Sequence, residues 1–239
     1  MRQKRKFSCL AFAMLASLLA TGARGELINR GNGLIADTVL DITWMQDASL
    51  FETLCEARDP IATEFVPVDQ ANVRILCHQD GRMTLNDAGL WIDRLNDVHY
   101  KGYSDWRLPI VDTNPVCNVD CYSVEMAHLV YVSLGNLHRD VEPCDEYYAI
   151  YEWRPSKINC IKNRGPFYNI NPDDSYWSGS VHPDYGDFLY VVLSTGYQNS
   201  DTVWSHFYVW PVRDGLSPTA TPSRYTRQRD LLTHVRIKR

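Results

Sequence analysis

Eight consecutive residues, Gly102-Tyr-Ser-Asp-Trp-Arg-Leu-Pro109, limit what this chain can fold into more than any other stretch. Their apolar positions recur at neither the helical nor the strand period, so no regular element accounts for them. Asp105 and Arg107 carry opposite charges that can pair or satisfy backbone groups, and Trp106 needs a large apolar site. Pro109 has no N–H and ends any ladder that reaches it. Such a run is held by several tertiary contacts at once. Asp105, Trp106, Arg107, Leu108 and Pro109, together with Trp177, are therefore read as a structural signature first and a ligand site second.

Residues 1–25 read as a Sec-type signal peptide. A basic start, Met1-Arg-Gln-Lys-Arg-Lys6, precedes an uncharged apolar run over 7–20 and a cleavage zone of small residues around Ala23 and Gly25. The apolar run is shorter than the ~20 residues that a membrane-spanning helix needs. The mature chain is expected to be secreted or periplasmic, with no transmembrane anchor once the leader is removed.

One of the seven cysteines, Cys9, falls in the leader, leaving Cys55, Cys77, Cys117, Cys121, Cys144 and Cys160. An even set in an exported chain reads as a disulfide framework. Six cysteines allow many pairings. Cys55–Cys77, Cys117–Cys121 and Cys144–Cys160 are favoured because each pair brackets an apparent loop. Zinc is the competing reading of Cys117 and Cys121, but no Cys/His pair at tight spacing accompanies them.

Charge is distributed unevenly. Residues 1–25 and 216–239 hold eleven of the 24 basic residues and one of the 29 acidic ones, so residues 26–215 carry a formal charge of −15. A body this acidic disfavours nucleic acid and other polyanions as partners. The segment 216–239 is Pro/Ser/Thr-rich and then Arg-rich, and reads as a disordered basic tail.

Between leader and tail the length fits one domain. Leu27-Ile28 and Leu34-Ile35 flank Gly31-Asn32-Gly33, a hairpin signal, and Ile42 to Met45 reads as a further strand. Residues 50–81 read as an insertion loop. Thr84 caps a helix that buries Ala88, Trp91, Ile92 and Leu95, and a second helix is expected from Ser123, burying Met126, Leu129, Val130 and Leu134 and stopping at Gly135. His128 would sit beside that apolar face as a structural histidine. Residues 136–174 are loop-like. Strand character returns at 176–180, 188–194 and 206–212, with the last two expected to form a hairpin around residues 195–204. The fold class is α+β: two helices and short antiparallel strands, with long disulfide-pinned loops.

Several motifs in order carry a family resemblance. Gly33-Leu-Ile-Ala-Asp37, Asp41-Ile-Thr-Trp44 and Gln46-Asp-Ala48 open the pattern; Met83-Thr84, Ala88, Trp91 and the Gly102–Pro109 run continue it. Ser123-Val-Glu-Met-Ala-His-Leu129, Tyr176-Trp-Ser-Gly179 and Phe207-Tyr-Val-Trp-Pro-Val-Arg213 complete it. Residues 26–215 resemble the Lcl C-terminal domain family, named after a collagen-like bacterial adhesin, with 50–81 and 139–172 as loose insertions. The resemblance implies a C-type-lectin-like fold, an exported bacterial protein, and an adhesive role; the founding domain is associated with trimers and sulfated glycosaminoglycans. A homo-oligomer and an extracellular glycan or cell-surface component are the partners it implies.

Chemistry-bearing patterns are sparse. No cofactor is expected: calcium stays open as an ion for the acidic body, but the lectin-type calcium signatures Glu-Pro-Asn, Gln-Pro-Asp and Trp-Asn-Asp do not occur. Arg107-Leu-Pro109 also resembles the sulfatase-modifying-factor family, whose oxidase chemistry relies on a late cysteine pair; no cysteine follows Cys160. No Gly-x-Ser-x-Gly nucleophile elbow occurs either, and the chain reads as non-catalytic. Trp44, Trp91, Trp177 and Trp210 read as core. Tyr185, Tyr197, Asn199, Asp201 and Trp204 lie in polar, turn-rich sequence and are the candidate sugar contacts: rings to stack on pyranose faces, and amide and carboxylate groups for hydroxyls.

Overall fold

Three left-handed residues in succession set the first hairpin. Gly31, Asn32 and Gly33 have φ of 76°, 54° and 75°, a combination that glycine and asparagine tolerate and β-branched residues do not. The computed structural model describes residues 27–69, 73, 77, 80–111, 125–136, 161–171, 174–184, 186–194 and 196–216. The turn joins β1 (Leu27–Gly31) to β2 (Leu34–Asp37), which pairs with β3 (Ile42–Met45). The last described strand, β7 (Val212–Asp214), returns to pair antiparallel with β3, so chain-distant ends share one four-stranded sheet of order β1-β2-β3-β7. A second antiparallel sheet has the order β4-β5-β6, from Ser175–Val181, Phe188–Val192 and Tyr197–Asp201.

The architecture is α+β with antiparallel sheets, and its helices are more numerous than the two expected. Residues 50–63, read as part of a loop, hold α1 (Leu50–Glu56) and the one-turn α2 (Pro60–Thr63). Leu50, Phe51, Leu54 and Cys55 of α1 are all buried. Pro60 stands at the first position of α2, where a missing N–H costs nothing, and Asp59 caps Ile61 N–H at 2.8 Å. Helix α3 (Leu85–Asp97) starts at the Thr84 cap and buries Trp91 against Phe51 and Phe65, with ring centroids 4.9–5.8 Å apart. The second expected helix is present as α4 (Glu125–Ala127), which widens into a π-helix over His128–Ser133 before Gly135 turns left-handed at φ 67°. The wider turn brings Ser133 Oγ to 3.3 Å from His128 Nδ1.

The segment after β6 also departs from expectation. Strand β5 pairs with β6, not with 206–212, because the chain already reverses at left-handed Gly196. Residues 207–212 instead thread between the sheets, bridging Met83, Tyr176 and Arg107 in turn. Trp210 is fully buried there, its Nε1 donating to Met45 O at 2.7 Å and its ring 5.1 Å from Trp44. Trp44, Trp91 and Trp177 are fully buried as well, each saturating a site that no smaller side chain would fill.

Cys55 and Cys77 form a disulfide that ties α1 to the segment leading into α3. Closing a loop of this length stabilises the fold by about 3 kcal/mol in the chain-entropy account. Cys117, Cys121, Cys144 and Cys160 lie outside the described residues, as do the leader 1–25, Tyr185 and residues 217–239 of the tail. Among the described residues no helix is long and apolar enough to cross a membrane.

Candidate functional site

The Gly102–Pro109 run is a clamp that joins α3, α4 and β7. Asn96 on the last turn of α3 grips the Trp106 backbone on both sides, accepting from its N–H at 2.7 Å and donating to its carbonyl at 2.9 Å. Trp106 is buried and its Nε1 donates to Tyr100 O. Asp105 and Arg107 do not pair with each other. Asp105 takes a two-pronged contact from Arg213 at 2.8 and 2.9 Å, and that guanidinium lies 4.1 Å from the Tyr103 ring centroid. Arg107 reaches instead to both oxygens of Glu125, at 2.9 and 2.7 Å, and to Asp214. Each is captured by a partner across the fold: Asp105 by Arg213, and Arg107 by Glu125 and Asp214. Backbone bonds Arg107 N–Val212 O and Val212 N–Arg107 O complete the clamp. With both arginines buried, this constellation holds strands together and offers little to a ligand.

A polar knot that the sequence did not point to pins the opening motif to residues 166–171. Gln46 Nε2 donates to Pro166 O, Asp47 Oδ1 accepts from Ser49 N and Asn169 Nδ2, and Asn171 Nδ2 donates to Ser49 Oγ. Tyr176 Oη joins the same network by accepting from Asn171 N at 2.9 Å; burial drives its phenol well above the ordinary range. These partners lie some 120 positions apart in sequence, which no local pattern reveals. Nearby, burial and then the charges of Glu56, Asp80 and Asp47 raise the Glu52 carboxyl. Among the described residues no group of three or more His, Cys, Asp and Glu side chains is placed to hold a metal ion.

The sheet β4-β5-β6 carries the remaining candidates. Tyr197, Asn199 and Asp201 alternate along β6 and so share one of its faces. Cross-strand pairing sets Asn199 opposite Tyr190, and Tyr190 opposite Trp177, on that same face. Phe207 covers its inner part, with its ring 4.7 Å from Tyr190 and 4.6 Å from Trp177. Burial, reinforced by Tyr197 and Asp201 and opposed by a hydrogen bond with Asn199, raises the Tyr190 phenol. Tyr197 remains 39% exposed, and Trp204, in the turn beyond β6, is 53% exposed. Trp204 is held at the N-terminal end of α3 because its neighbour Val203 accepts from Leu85 N at 3.2 Å.

Asn199 is more committed than its sequence setting suggested. Its amide donates to Tyr197 Oη at 2.8 Å and its oxygen accepts from Ser200 N at 2.9 Å, so it orients the tyrosine and caps the strand edge. Asp201 likewise accepts from Thr202 N at 2.6 Å. The result is a shallow face along roughly 13 Å of strand β6, with a fixed tyrosine at one end and an exposed tryptophan in the turn beyond the other. It offers rings and hydroxyls but no nucleophile–base pair among the residues named.

Comparison of the chain with protein-family models, with curated proteins and with solved structures returns no match. The ordered motifs therefore speak for themselves, and what they do in the fold is visible. Gln46 and Asp47 pin a loop, Thr84 caps α3, Arg107 and Arg213 clamp the Gly102–Pro109 run to α4 and β7, and Trp177 and Trp210 fill the core.

Proposed function

We propose that this chain is an exported, non-catalytic binding or adhesion domain of the C-type-lectin-like kind, related to the Lcl C-terminal domain family, that holds a carbohydrate on the β5–β6 face. The observation that carries this reading is the contrast among tryptophans. Trp44, Trp91, Trp177 and Trp210 are fully buried, whereas Trp204 exposes about half of its surface beside a strand that presents Tyr197. An exposed indole costs free energy in water and pairs well with the CH face of a pyranose. The leader sequence supports export to the periplasm or beyond, and no cofactor is invoked.

The alternative is a self-assembling envelope protein with no glycan ligand. Strand β6 is an edge, the place where such pairing would start. The Asn199 and Asp201 side chains occupy the N–H groups of Ser200 and Thr202, which blunts that edge and favours the ligand reading. A glycan array probed with the wild-type chain and with Trp204→Ala and Tyr197→Ala separates the two. Binding to a defined set of glycans that both variants lose by roughly tenfold or more supports the proposal. A pattern unchanged by either substitution refutes it.

A further inference from the structure

The charge around the β5–β6 face specifies the class of sugar, if that face is the binding site proposed above. Residues 165–212 contain no lysine and no arginine, an absence that the overall composition of 24 basic residues does not lead one to expect. The same stretch supplies Asp174, Asp184, Asp187 and Asp201 to the sheet and its turns. Arg82 reaches only the start of β4, where it pairs with Asp174 at 3.4 Å. Asp201 lies on the same face of β6 as Tyr197, and Thr202 N–H engages one of its two oxygens, leaving acceptor capacity on the other.

We infer that the face takes a saccharide bearing protonated amino groups, such as a run of de-N-acetylated glucosamine, in preference to its acetylated or sulfated counterparts. Ammonium groups spaced along the sugar meet the Asp201 carboxylate at one end of the strand face and the negative face of the Tyr197 ring at the other, with the Trp204 ring in the turn beyond Asp201. A sulfate at the same place meets carboxylates with no compensating cation from the sheet. This is discrimination by repulsion as much as by attraction. The segment 216–239 is basic by sequence, but it belongs to the same chain and is present whichever sugar is offered, so a preference between sugars reports the face.

Calorimetric titration of the full chain at pH 6 with three tetrasaccharides tests this: glucosamine tetramer, its fully N-acetylated form, and a heparin fragment. The expected result is binding of the glucosamine tetramer at least about tenfold tighter than the acetylated one, no heparin binding, and steep weakening with salt. Asp201→Asn weakens the glucosamine tetramer roughly threefold to tenfold and leaves the acetylated form unchanged; Trp204→Ala weakens both. Equal binding of the two glucosamine tetramers, still sensitive to Trp204→Ala, overturns the amine preference and leaves the face intact. Heparin binding that Trp204→Ala removes overturns it as well. Displacement of the glucosamine tetramer by a free peptide of residues 216–239 at lower concentration than the sugar identifies the tail as the occupant and overturns the inference. Saccharide binding insensitive to Trp204→Ala sinks both this inference and the face on which it rests.

Discussion

Arg107 shows how a single side chain can hold the fold. Its buried guanidinium is shared by Glu125 on α4 and Asp214 on β7, and its own backbone bridges Val212. Removing one member of a buried ion pair takes the counter-charge from the others, at a cost of about 3–5 kcal/mol. Arg107→Met is expected to lose stability on that scale in a urea titration, whereas the triple replacement with Glu125→Gln and Asp214→Asn recovers much of it. Arg107→Lys falls between, because an ammonium cannot reproduce the two-pronged contact. Glu52 makes the opposite contribution. Burial, Glu56, Asp80 and Asp47 raise its folded pKa above 4.5, so the folded state binds more protons than the unfolded one over the window just above that value. The stability associated with the protonated form is present below the unfolded pKa and is lost as pH rises through the folded pKa. Glu52→Gln is therefore expected to raise Tm at pH 7 and leave it unchanged below pH 4. Solvent screening keeps the gain to no more than about 0.5 kcal/mol.

At the scale of elements, the N-terminus of α3 concentrates the order that locates Trp204. Thr84 Oγ1 accepts from Asp87 N and donates to Asp69 Oδ2, and Asp87 accepts from Val68 N at 2.7 Å. Thr84→Ala removes a cap and a loop contact, and thermal melts should show a loss of about 1–2 kcal/mol. Elements whose determinants are local could be read from the sequence: the Gly31-Asn32-Gly33 turn, the Thr84 cap, the 3.6-residue spacing of Ala88, Trp91, Ile92 and Leu95, and the glycine that ends α4. What escaped depends on distance. Helix α2 lies in the stretch read as an insertion loop, although its Pro60, a breaker inside a helix, is a starter at the first position. The partner of β5 was misassigned because 206–212 has strand composition, yet its aromatic residues are spent on Trp177, Tyr190 and the Trp44 stack instead of a ladder. For the face itself, exposure of Trp204 and Tyr197 follows the polar sequence around them, while the internal hydrogen bonds of Asn199 depend on side-chain orientations that no sequence pattern fixes.

For the whole molecule, the layout separates holding from presenting. The clamp at Asp105–Arg213 and Arg107–Glu125 joins the first sheet to α4, the disulfide ties α1 to the approach to α3, and the aromatic core runs from Phe51 to Phe207. The second sheet packs Leu189 and Val191 inward and leaves β6 outward with its edge capped. On this account the sequence signature maintains the frame and the β5–β6 face meets the ligand. The most direct test is amide and indole chemical-shift mapping of the full chain during titration with the glycan that binds it best on an array. The account predicts the largest shifts at Tyr190, Tyr197, Asn199, Asp201 and the Trp204 indole, with Asp105, Arg107 and Asp47 unmoved. Shifts centred on the Gly102–Pro109 run or on the Asp47 knot, with Trp204 silent, would contradict it.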